Sequence, residues 1–195
     1  MDLQTQLSIP SIDGLIYEPD FLDQTAIDQL LTNIDAAPWR NDLRRRVQHY
    51  GYRYDYKARA VKAGDYLGPL PDWALGLAQR LQADGYFASA PDQVIVNEYL
   101  PGQGIAAHVD CEPCFGPVIA SISLGSAAVM EFTALADGER QVMTLEPGSL
   151  VVLSGDARYA WKHGIPARKT DPGPDGRVPR ARRVSLTFRN MVLAD

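Results

Sequence analysis

The chain has 195 residues, of which 46% are apolar and 22% are charged, and its formal net charge is −5. These values are typical of one globular domain with its own core, so we expect residues 1–195 to form a single domain. No apolar run approaches the roughly 18 residues of a membrane span, and the start MDLQTQLSIP has no signal-peptide pattern, which together predict a cytoplasmic protein with no membrane partner.

Helices are predicted first along the chain. Apolar residues at helical spacing predict a helix over residues 22–35. A second helix is predicted over residues 71–83, because Pro71 stands near its start and Gly85 follows its end.

Basic residues are concentrated in two blocks of an otherwise acidic chain. Residues 40–62 hold eight basic and two acidic residues, and residues 158–189 hold nine basic and two acidic residues. Two such blocks predict a phosphate-binding face for a DNA or RNA partner. The alternative is that these arginines pair with nearby acids or line the pocket of a small anionic ligand.

Short apolar runs bounded by Gly or Pro dominate the chain after residue 92. The runs are QVIVNEYL, PVIASISLG, AAVMEFTA, RQVMTLEPG, SLVVLSG and RRVSLTFRNMV. Their Val, Ile, Thr and Phe content predicts the strands of a sandwich or barrel. Helices followed by strands predict a mainly β (α+β) fold, namely a jelly-roll double sheet supported by N-terminal helices. The Pro- and Gly-rich stretch 164–181 is predicted to be a surface loop.

A metal site is indicated by the stretch AAHVD. Residues i and i+2 of an extended segment point to the same side, so His108 and Asp110 present an imidazole and a carboxylate together. His163, which follows the predicted strand SLVVLSG, is the candidate third ligand. Two His and one carboxylate are the ligand set of non-haem Fe(II) oxygenases, but zinc can use the same set with a bound water in a hydrolase.

The last predicted strand favours an anionic ligand beside this metal. Its apolar residues alternate with Arg183, Ser185, Thr187 and Arg189, so two guanidinium groups share one face. Guanidinium groups suit carboxylates, and a dicarboxylate that also chelates iron would be 2-oxoglutarate. Six residues of strand span about 20 Å, so both arginines must lean inward to share one small ligand. A solvated strand face is the alternative.

Two polar residues of QVIVNEY fit the same ligand. Asn97 and Tyr99 share one face of this strand, and both side chains can form hydrogen bonds with a carboxylate. The alternative is an edge strand whose polar residues face water.

Four segments together resemble the AlkB family of Fe(II)- and 2-oxoglutarate-dependent dioxygenases. They are NEYLPGQGIAAHVD, IASISLGSAAVMEF, LEPGSLVVLSGDARYAWKHGI and RRVSLTFR, which span about half of the chain in the family's order. Upstream, HYGYRYDY and LPDWALGLAQRL also resemble the family's N-terminal recognition region. The core motifs look closer to the animal tRNA-modifying member than to the bacterial repair enzyme.

The resemblance implies a double-stranded β-helix core over about 93–195 and a helical, substrate-recognition region over about 1–92. It implies that His108, Asp110 and His163 bind Fe(II), with dioxygen as the other cosubstrate. By the same carry-over, the residues that bind 2-oxoglutarate are Asn97, Tyr99, Arg183, Ser185 and Arg189.

The family also implies a substrate, namely alkylated or modified bases in DNA or RNA. Arg45 is then expected to contact the phosphate backbone, and Tyr52 and Tyr54 to face a base pocket. Glu112 matches an acid that touches the target base in the bacterial member, although the animal tRNA-modifying member has no acid there. Alternatives are hydroxylation of a protein side chain or small molecule, and a nucleic-acid-binding protein without catalysis. We favour a monomer.

Cys111 and Cys114 form one Cys-x-x-Cys pair. A zinc ribbon needs a second such pair, and two cysteines make no disulfide framework. We interpret them as loop thiols in a reducing compartment.

Overall fold

The computed structural model of the chain describes residues 9–41, 44–54, 61–173 and 175–193. The basic stretch 40–62 is therefore described only in part, and the predictions for residues 42–43 and 55–60 lie outside the described residues. Within these ranges, no helix is both long enough and apolar enough to cross a membrane.

Both predicted helices are confirmed to within two residues. Helix α1 is Gln24–Ala36, and the side chain of Asp23 caps it by accepting a hydrogen bond from the Ala26 backbone at 2.8 Å. Helix α2 is Asp72–Ala83. Each helix buries one apolar face against the same sheet, which is why the spacing of its apolar residues was informative. A third helix, α3 (Gly155–Tyr159), is a short turn next to the candidate site.

All six predicted runs form strands, and the described residues contain six further strands. The strands are β1 (Leu15–Glu18), β2 (Val47–Tyr50), β3 (Gln93–Tyr99), β4 (Ile105–His108), β5 (Phe115–Gly125), β6 (Ala128–Ala134), β7 (Arg140–Leu145), β8 (Leu150–Leu153), β9 (Trp161–Ile165), β10 (Thr170–Gly173), β11 (Gly176–Pro179) and β12 (Arg183–Met191).

Two antiparallel sheets form the core, as the jelly-roll prediction requires. The major sheet has the order β1-β8-β5-β12-β3-β2, and the minor sheet has the order β4-β9-β6-β7. Strands β1 and β2 come from the N-terminal region and form both edges of the major sheet. The N-terminal region is therefore part of the double sheet, whereas the sequence had suggested a division near residue 92.

Strand β12 shows how the sequence alternation positions the site. Val184, Leu186 and Phe188 are fully buried against α1 and α2 in one core cluster. The alternate residues Arg183 and Arg189 lie on the opposite face, between the two sheets. Since period-2 alternation puts successive side chains on opposite faces, one strand builds the core and supplies polar groups to the interior of the double sheet.

The stretch 164–181 is not an irregular loop. Its described residues contain the end of β9 and the hairpin β10–β11, which forms a small sheet of its own. Asp171, at the base of this hairpin, is buried and accepts hydrogen bonds from Arg180 at 2.5 and 2.8 Å and from Arg168 at 2.7 Å. It also accepts one from the Val129 backbone at 3.2 Å. These ion pairs of Asp171 order the segment, and its high Pro and Gly content gave no sign of them.

Candidate active site

His108, Asp110 and His163 come together at one end of the two sheets. One ligand atom from each lies within 4.8 Å of the other two. His108 and His163 are direct cross-strand partners in β4 and β9, and Asp110 follows β4 by two residues. Antiparallel pairing thus brings together two imidazoles separated by 55 positions of sequence.

A glycine next to His163 makes this pairing possible. A Cβ atom on Gly164 would lie 2.8 Å from the Ala107 backbone nitrogen and 2.9 Å from its Cα, distances that backbone atoms cannot accommodate. The missing side chain therefore allows β4 to cross β9 close to the two imidazoles.

Hydrogen bonds and burial prepare the two histidines as ligands. The Nδ1 atom of His108 lies 2.8 Å from the Ala106 carbonyl oxygen, to which it donates, so its Nε2 keeps a lone pair for a metal. Burial lowers the pKa of His163 to about 4, so this imidazole is neutral at physiological pH. Neutral imidazole is the form that binds a metal ion.

Asp110 is held as a carboxylate with one oxygen committed. Its Oδ1 accepts a hydrogen bond from Arg189 Nη2 at 2.9 Å, and its Oδ2 lies 3.4 Å from His163 Nε2. Burial alone would raise the pKa of Asp110, but the positive charge of Arg189, together with that of Arg158, outweighs this effect and holds the pKa well below its usual range. The second oxygen is therefore available to a cation on the side of the histidines.

Arg158 is a residue of this site that sequence reasoning missed. It lies on α3 and is fully buried, and its Nη1 and Nη2 donate to the backbone carbonyls of Asp110 at 3.0 Å and Cys111 at 3.3 Å. By binding these two main-chain oxygens, the buried arginine fixes the segment that carries Asp110. The motif GDARYAWKHG contains it, but its position could only be found once α3 was packed against this segment.

A cavity of about 840 Å³ extends from the three ligands between the two sheets. The charged residues that line it are five cations and a single acid: Arg44, Arg45, Lys162, Arg183, Arg189 and Asp110. The described lining residues therefore carry a net positive charge, and this charge does not include any bound metal ion. The cavity therefore favours an anionic ligand.

The two arginines of β12 serve opposite ends of the cavity. Arg189 lies beside the metal ligands and over the Phe115 ring at 4.5 Å, whereas Arg183 donates to Ser123 Oγ at 2.8 Å and lies 5.4 Å from the Tyr99 ring centre. Both side chains lean into the same cavity, as the sequence analysis required for two arginines that share one ligand.

Buried nitrogen atoms without a partner support this fit. No described residue accepts a hydrogen bond from Nε of Arg183, or from Nε and Nη1 of Arg189. Burial lowers the pKa of Arg183 to about 10, and no acid among the described residues forms an ion pair with it. A dicarboxylate in the cavity would supply a compensating charge. The donor set fits Fe(II) and 2-oxoglutarate on chemical grounds, because two imidazoles and a carboxylate leave open positions for a chelating ligand.

The remaining predicted cosubstrate residues also line the cavity. Asn97 and Ser185 are cross-strand partners in β3 and β12, and Tyr99 pairs with Arg183. All four side chains are buried on the inner face of the major sheet. The structure therefore brings the predicted ligand and cosubstrate residues into one cavity.

The predicted substrate residues are only partly brought together. Tyr54 lines the cavity with its ring 5.1 Å from Phe115, and Arg45 also lines it. Tyr52, in contrast, packs against Tyr66 at 5.1 Å and is not among the lining residues. Glu112 is exposed on the turn after Asp110 and is not among them either. Tyr52 and Tyr54 would share one face only in an extended segment, but β2 ends at Tyr50.

Most arginines of the second basic block, residues 158–189, bind other groups of the protein or line the cavity. Arg168 and Arg180 pair with Asp171, and Arg182 pairs with Asp35 at 2.5 Å and with Glu98 at 2.6 Å. Together with Arg158 and the two cavity arginines, these residues agree with the alternative given in the sequence analysis, in which the arginines pair with acids or line the pocket of a small anion. Exposed lysines remain, and Lys162 lies at the cavity.

Cys111 and Cys114 are joined in a disulfide, whereas the sequence had suggested separate thiols. The turn between them explains the difference, because the Cys114 backbone donates to the Cys111 carbonyl at 3.3 Å and the two Cα atoms lie 5.3 Å apart. The bond closes the loop directly after Asp110.

Comparison with known proteins gives consistent results. The model of the family described as the 2OG-Fe(II) oxygenase superfamily matches residues 14–189. An Arabidopsis thaliana protein named "Alkylated DNA repair protein ALKBH8 homolog" is 35% identical over 212 residues, covering 97% of this chain and 60% of that protein. The Mus musculus "tRNA (carboxymethyluridine(34)-5-O)-methyltransferase ALKBH8" is 43% identical over 128 residues, covering 65% of this chain and 19% of that protein. The chain thus spans less than two thirds of either relative.

Solved structures agree on the fold. The structure of OsALKBH1 superposes with a TM-score of 0.61 at 20% identity, covering 91% of this chain and 96% of that one. At this identity the similarity concerns the fold, and it supports the jelly-roll assignment.

Proposed function

The chain belongs to the AlkB group of the 2OG-Fe(II) oxygenase superfamily, and from this premise we propose that it oxidises alkylated or modified bases in nucleic acid. The observation that carries the proposal is the joint arrangement of His108, Asp110 and His163 at one end of a cationic cavity that fits a dicarboxylate. When bound, Fe(II) with dioxygen and 2-oxoglutarate would supply oxidation of a substrate C–H bond, leaving succinate and carbon dioxide.

The residues of the chain then have separate tasks. His108, Asp110 and His163 would hold the metal, and Arg189 keeps the Asp110 carboxylate oriented. Arg189 is also the cation nearest the ligands, so it would bind the cosubstrate carboxylate on that side. Arg183, with Tyr99 and Ser185, would bind the other carboxylate. Burial between the sheets excludes water from these contacts, which strengthens them.

The mouth of the cavity suits a nucleotide. Tyr54, which is half-buried, offers an aromatic ring against which a base taken out of its stack can lie, and Arg44 and Lys162 are exposed cations that line the same cavity. The names of the relatives concern alkylated DNA in one case and tRNA uridine in the other, so both nucleic acids belong to the proposal. An N-methyl group would be released as formaldehyde, whereas a carbon not attached to nitrogen would keep the hydroxyl.

The test is succinate formation by the Fe(II)-loaded protein, with and without a panel of methylated or modified DNA and RNA oligonucleotides. We expect one class of oligonucleotide to stimulate succinate formation, and added salt to weaken its binding because phosphate contacts release counterions. His108→Ala should abolish turnover, and Arg140→Ala, on the exposed start of β7, should not.

Two results would contradict parts of the proposal. Turnover that survives in His108→Ala would overturn the metal assignment. Succinate formed equally with and without every oligonucleotide would keep the dioxygenase and move its substrate to a protein side chain or small molecule.

A further inference from the structure

The sequence analysis expected Arg45 to contact the phosphate backbone of a nucleic acid. In the structure, Arg45 lines the cavity. Its Nε donates a hydrogen bond to Asn97 Oδ1 at 2.8 Å, and its guanidinium lies 5.8 Å from the centre of the Tyr99 ring. The side chain is half-buried and lines the cavity.

This hydrogen bond determines which end of the Asn97 amide is available to a ligand. An arginine has five donors and no acceptor, so the atom of Asn97 that it contacts must be the oxygen. The NH₂ group of Asn97 is then left for other partners, and Asn97 is buried on the inner face of the major sheet among the cavity residues. A carboxylate needs a donor at this place, and an amide turned by 180° would present an acceptor instead.

The next residue, Arg46, fixes the backbone around Arg45 by binding the opposite face of β3. Arg46 forms two hydrogen bonds with the buried carboxylate of Glu98, at 2.6 and 2.7 Å, and lies 4.8 Å from the Trp39 ring. The Glu98 backbone also donates to the Arg46 carbonyl at 3.0 Å. Arg45 and Arg46 thus bind neighbouring residues on the two faces of β3. The hydrogen bonds between Arg46 and Glu98 help to hold Arg45 beside Asn97.

Two cations converge on the end of the cavity that lies away from the metal ligands. Arg45 and Arg183 lie 5.8 and 5.4 Å from the same Tyr99 ring. Among the described lining residues the single acid is Asp110, at the opposite end. The distal end is therefore a site for a carboxylate, and Asn97, which Arg45 contacts, lines the same cavity.

We propose that Arg45 is a positioning residue of the cosubstrate site, which orients the Asn97 amide so that its NH₂ group binds the distal carboxylate of 2-oxoglutarate. This inference rests on the proposed function and gives this arginine a role in binding the cosubstrate. It also explains why an arginine beside an exposed basic segment is turned inward.

The test is the affinity of the full-length protein for 2-oxoglutarate, measured by calorimetry with Mn(II) in place of Fe(II) so that no turnover occurs. Arg45→Met keeps the length of the side chain and removes its donors, and we expect the Kd to rise about tenfold, the usual effect of losing a charge-assisted hydrogen bond. Arg45→Lys should restore part of the affinity. Arg53→Met is the matched control, because Arg53 is exposed, pairs with Asp65 and is not among the lining residues.

Two readouts separate this role from a general structural one. Mn(II) affinity should be unchanged in Arg45→Met, and 2-oxobutanoate, which lacks the distal carboxylate, should bind the variant and the wild type equally. In an Asn97→Ala background, Arg45→Met should change the Kd for 2-oxoglutarate by less than about twofold, because the amide it orients is gone.

Three outcomes would overturn the inference in distinguishable ways. An unchanged 2-oxoglutarate Kd in Arg45→Met, while Asn97→Ala weakens binding, would remove Arg45 from the site. A loss of oligonucleotide affinity alone would make Arg45 the phosphate contact that its sequence position suggested. A wild-type protein that binds Mn(II) but not 2-oxoglutarate would overturn the proposed function itself and, with it, the assignment of Arg45.

Discussion

Arg158 places a guanidinium in the protein interior, directly behind the metal ligands. Its hydrogen bonds to the carbonyls of Asp110 and Cys111 fix the main chain from which the Asp110 carboxylate projects. Burial lowers the pKa of Arg158, so its desolvated charge is retained at a cost in stability. A position of this kind is typical of residues that hold a functional segment in place.

Arg158→Lys should therefore weaken metal binding more than it weakens the fold. Lysine keeps the charge but cannot span two carbonyls with a planar pair of donors. We expect Mn(II) affinity, measured by calorimetry, to fall about tenfold, as is usual when an outer partner of a ligand is changed. Arg140→Lys on the protein surface is the control. Wild-type Mn(II) affinity in Arg158→Lys would show that the segment holds its position without this arginine.

Single residues also mark the limit of the sequence prediction. The cosubstrate residues were found because QVIVNEY and RRVSLTFR keep their side chains in regular strands, where the faces follow from alternation. The metal ligands were found from the His-x-Asp spacing and the family resemblance, although Asp110 lies beyond the end of β4. Tyr52 and Glu112 lie in turns, whose side-chain directions depend on the local backbone. Arg45 was expected at the phosphate backbone, and the structure places it at the cavity beside Asn97, because charge density along a sequence does not tell which way a side chain points.

Among the elements of secondary structure, the hairpin β10–β11 depends on its buried carboxylate. Asp171 binds two arginines, and the side chain of Arg180 is almost fully buried. Asp171→Asn should lower the free energy of unfolding by about 3 kcal/mol, because it leaves a buried arginine without its counter-charge. Arg177→Ala, on the exposed part of the hairpin, should change it by less than about 0.5 kcal/mol. Urea denaturation measures both, and equal values would contradict this view of the cluster.

The missed elements share a physical cause. Strands β4 and β9 are four and five residues long and carry the site's polar residues, so their sequences lack the apolar alternation of a strand. Hairpin β10–β11 is hidden by its Pro and Gly content, and its order comes from the hydrogen bonds of Asp171 with Arg168 and Arg180, which the composition does not reveal. The helices and the long strands were found because each buries a continuous apolar face.

The pH dependence of stability belongs to the whole molecule. Burial keeps the pKa of His163 at about 4, below the ordinary value of 6.5. Between these two values the unfolded chain binds a proton at this position and the folded chain does not, so acid favours the unfolded state. The metal-free protein should lose on the order of 2 kcal/mol as the pH falls from about 6.5 to 4.

Urea denaturation of chelator-treated protein across this range is the measurement. His163→Asn should flatten the slope, because asparagine does not titrate. An identical slope in both proteins would assign the acid sensitivity to other groups. Below pH 4 a further loss is expected as Glu98 and Asp171 are protonated, since nearby arginines hold both pKa values below the ordinary range against the opposing effect of burial.

The position of β4 has a consequence for the lifetime of the protein without metal. This strand is the edge of the minor sheet, and it pairs with β9 at only two registered positions, one of which joins His108 to His163. A metal ion held by both histidines would therefore cross-link β4 to β9 at this edge. Without the metal, β4 would separate from β9 more readily, and the backbone groups of β9 could then pair with a strand of another molecule. We therefore expect the protein without metal to aggregate more readily than the metal-bound protein, in addition to losing turnover.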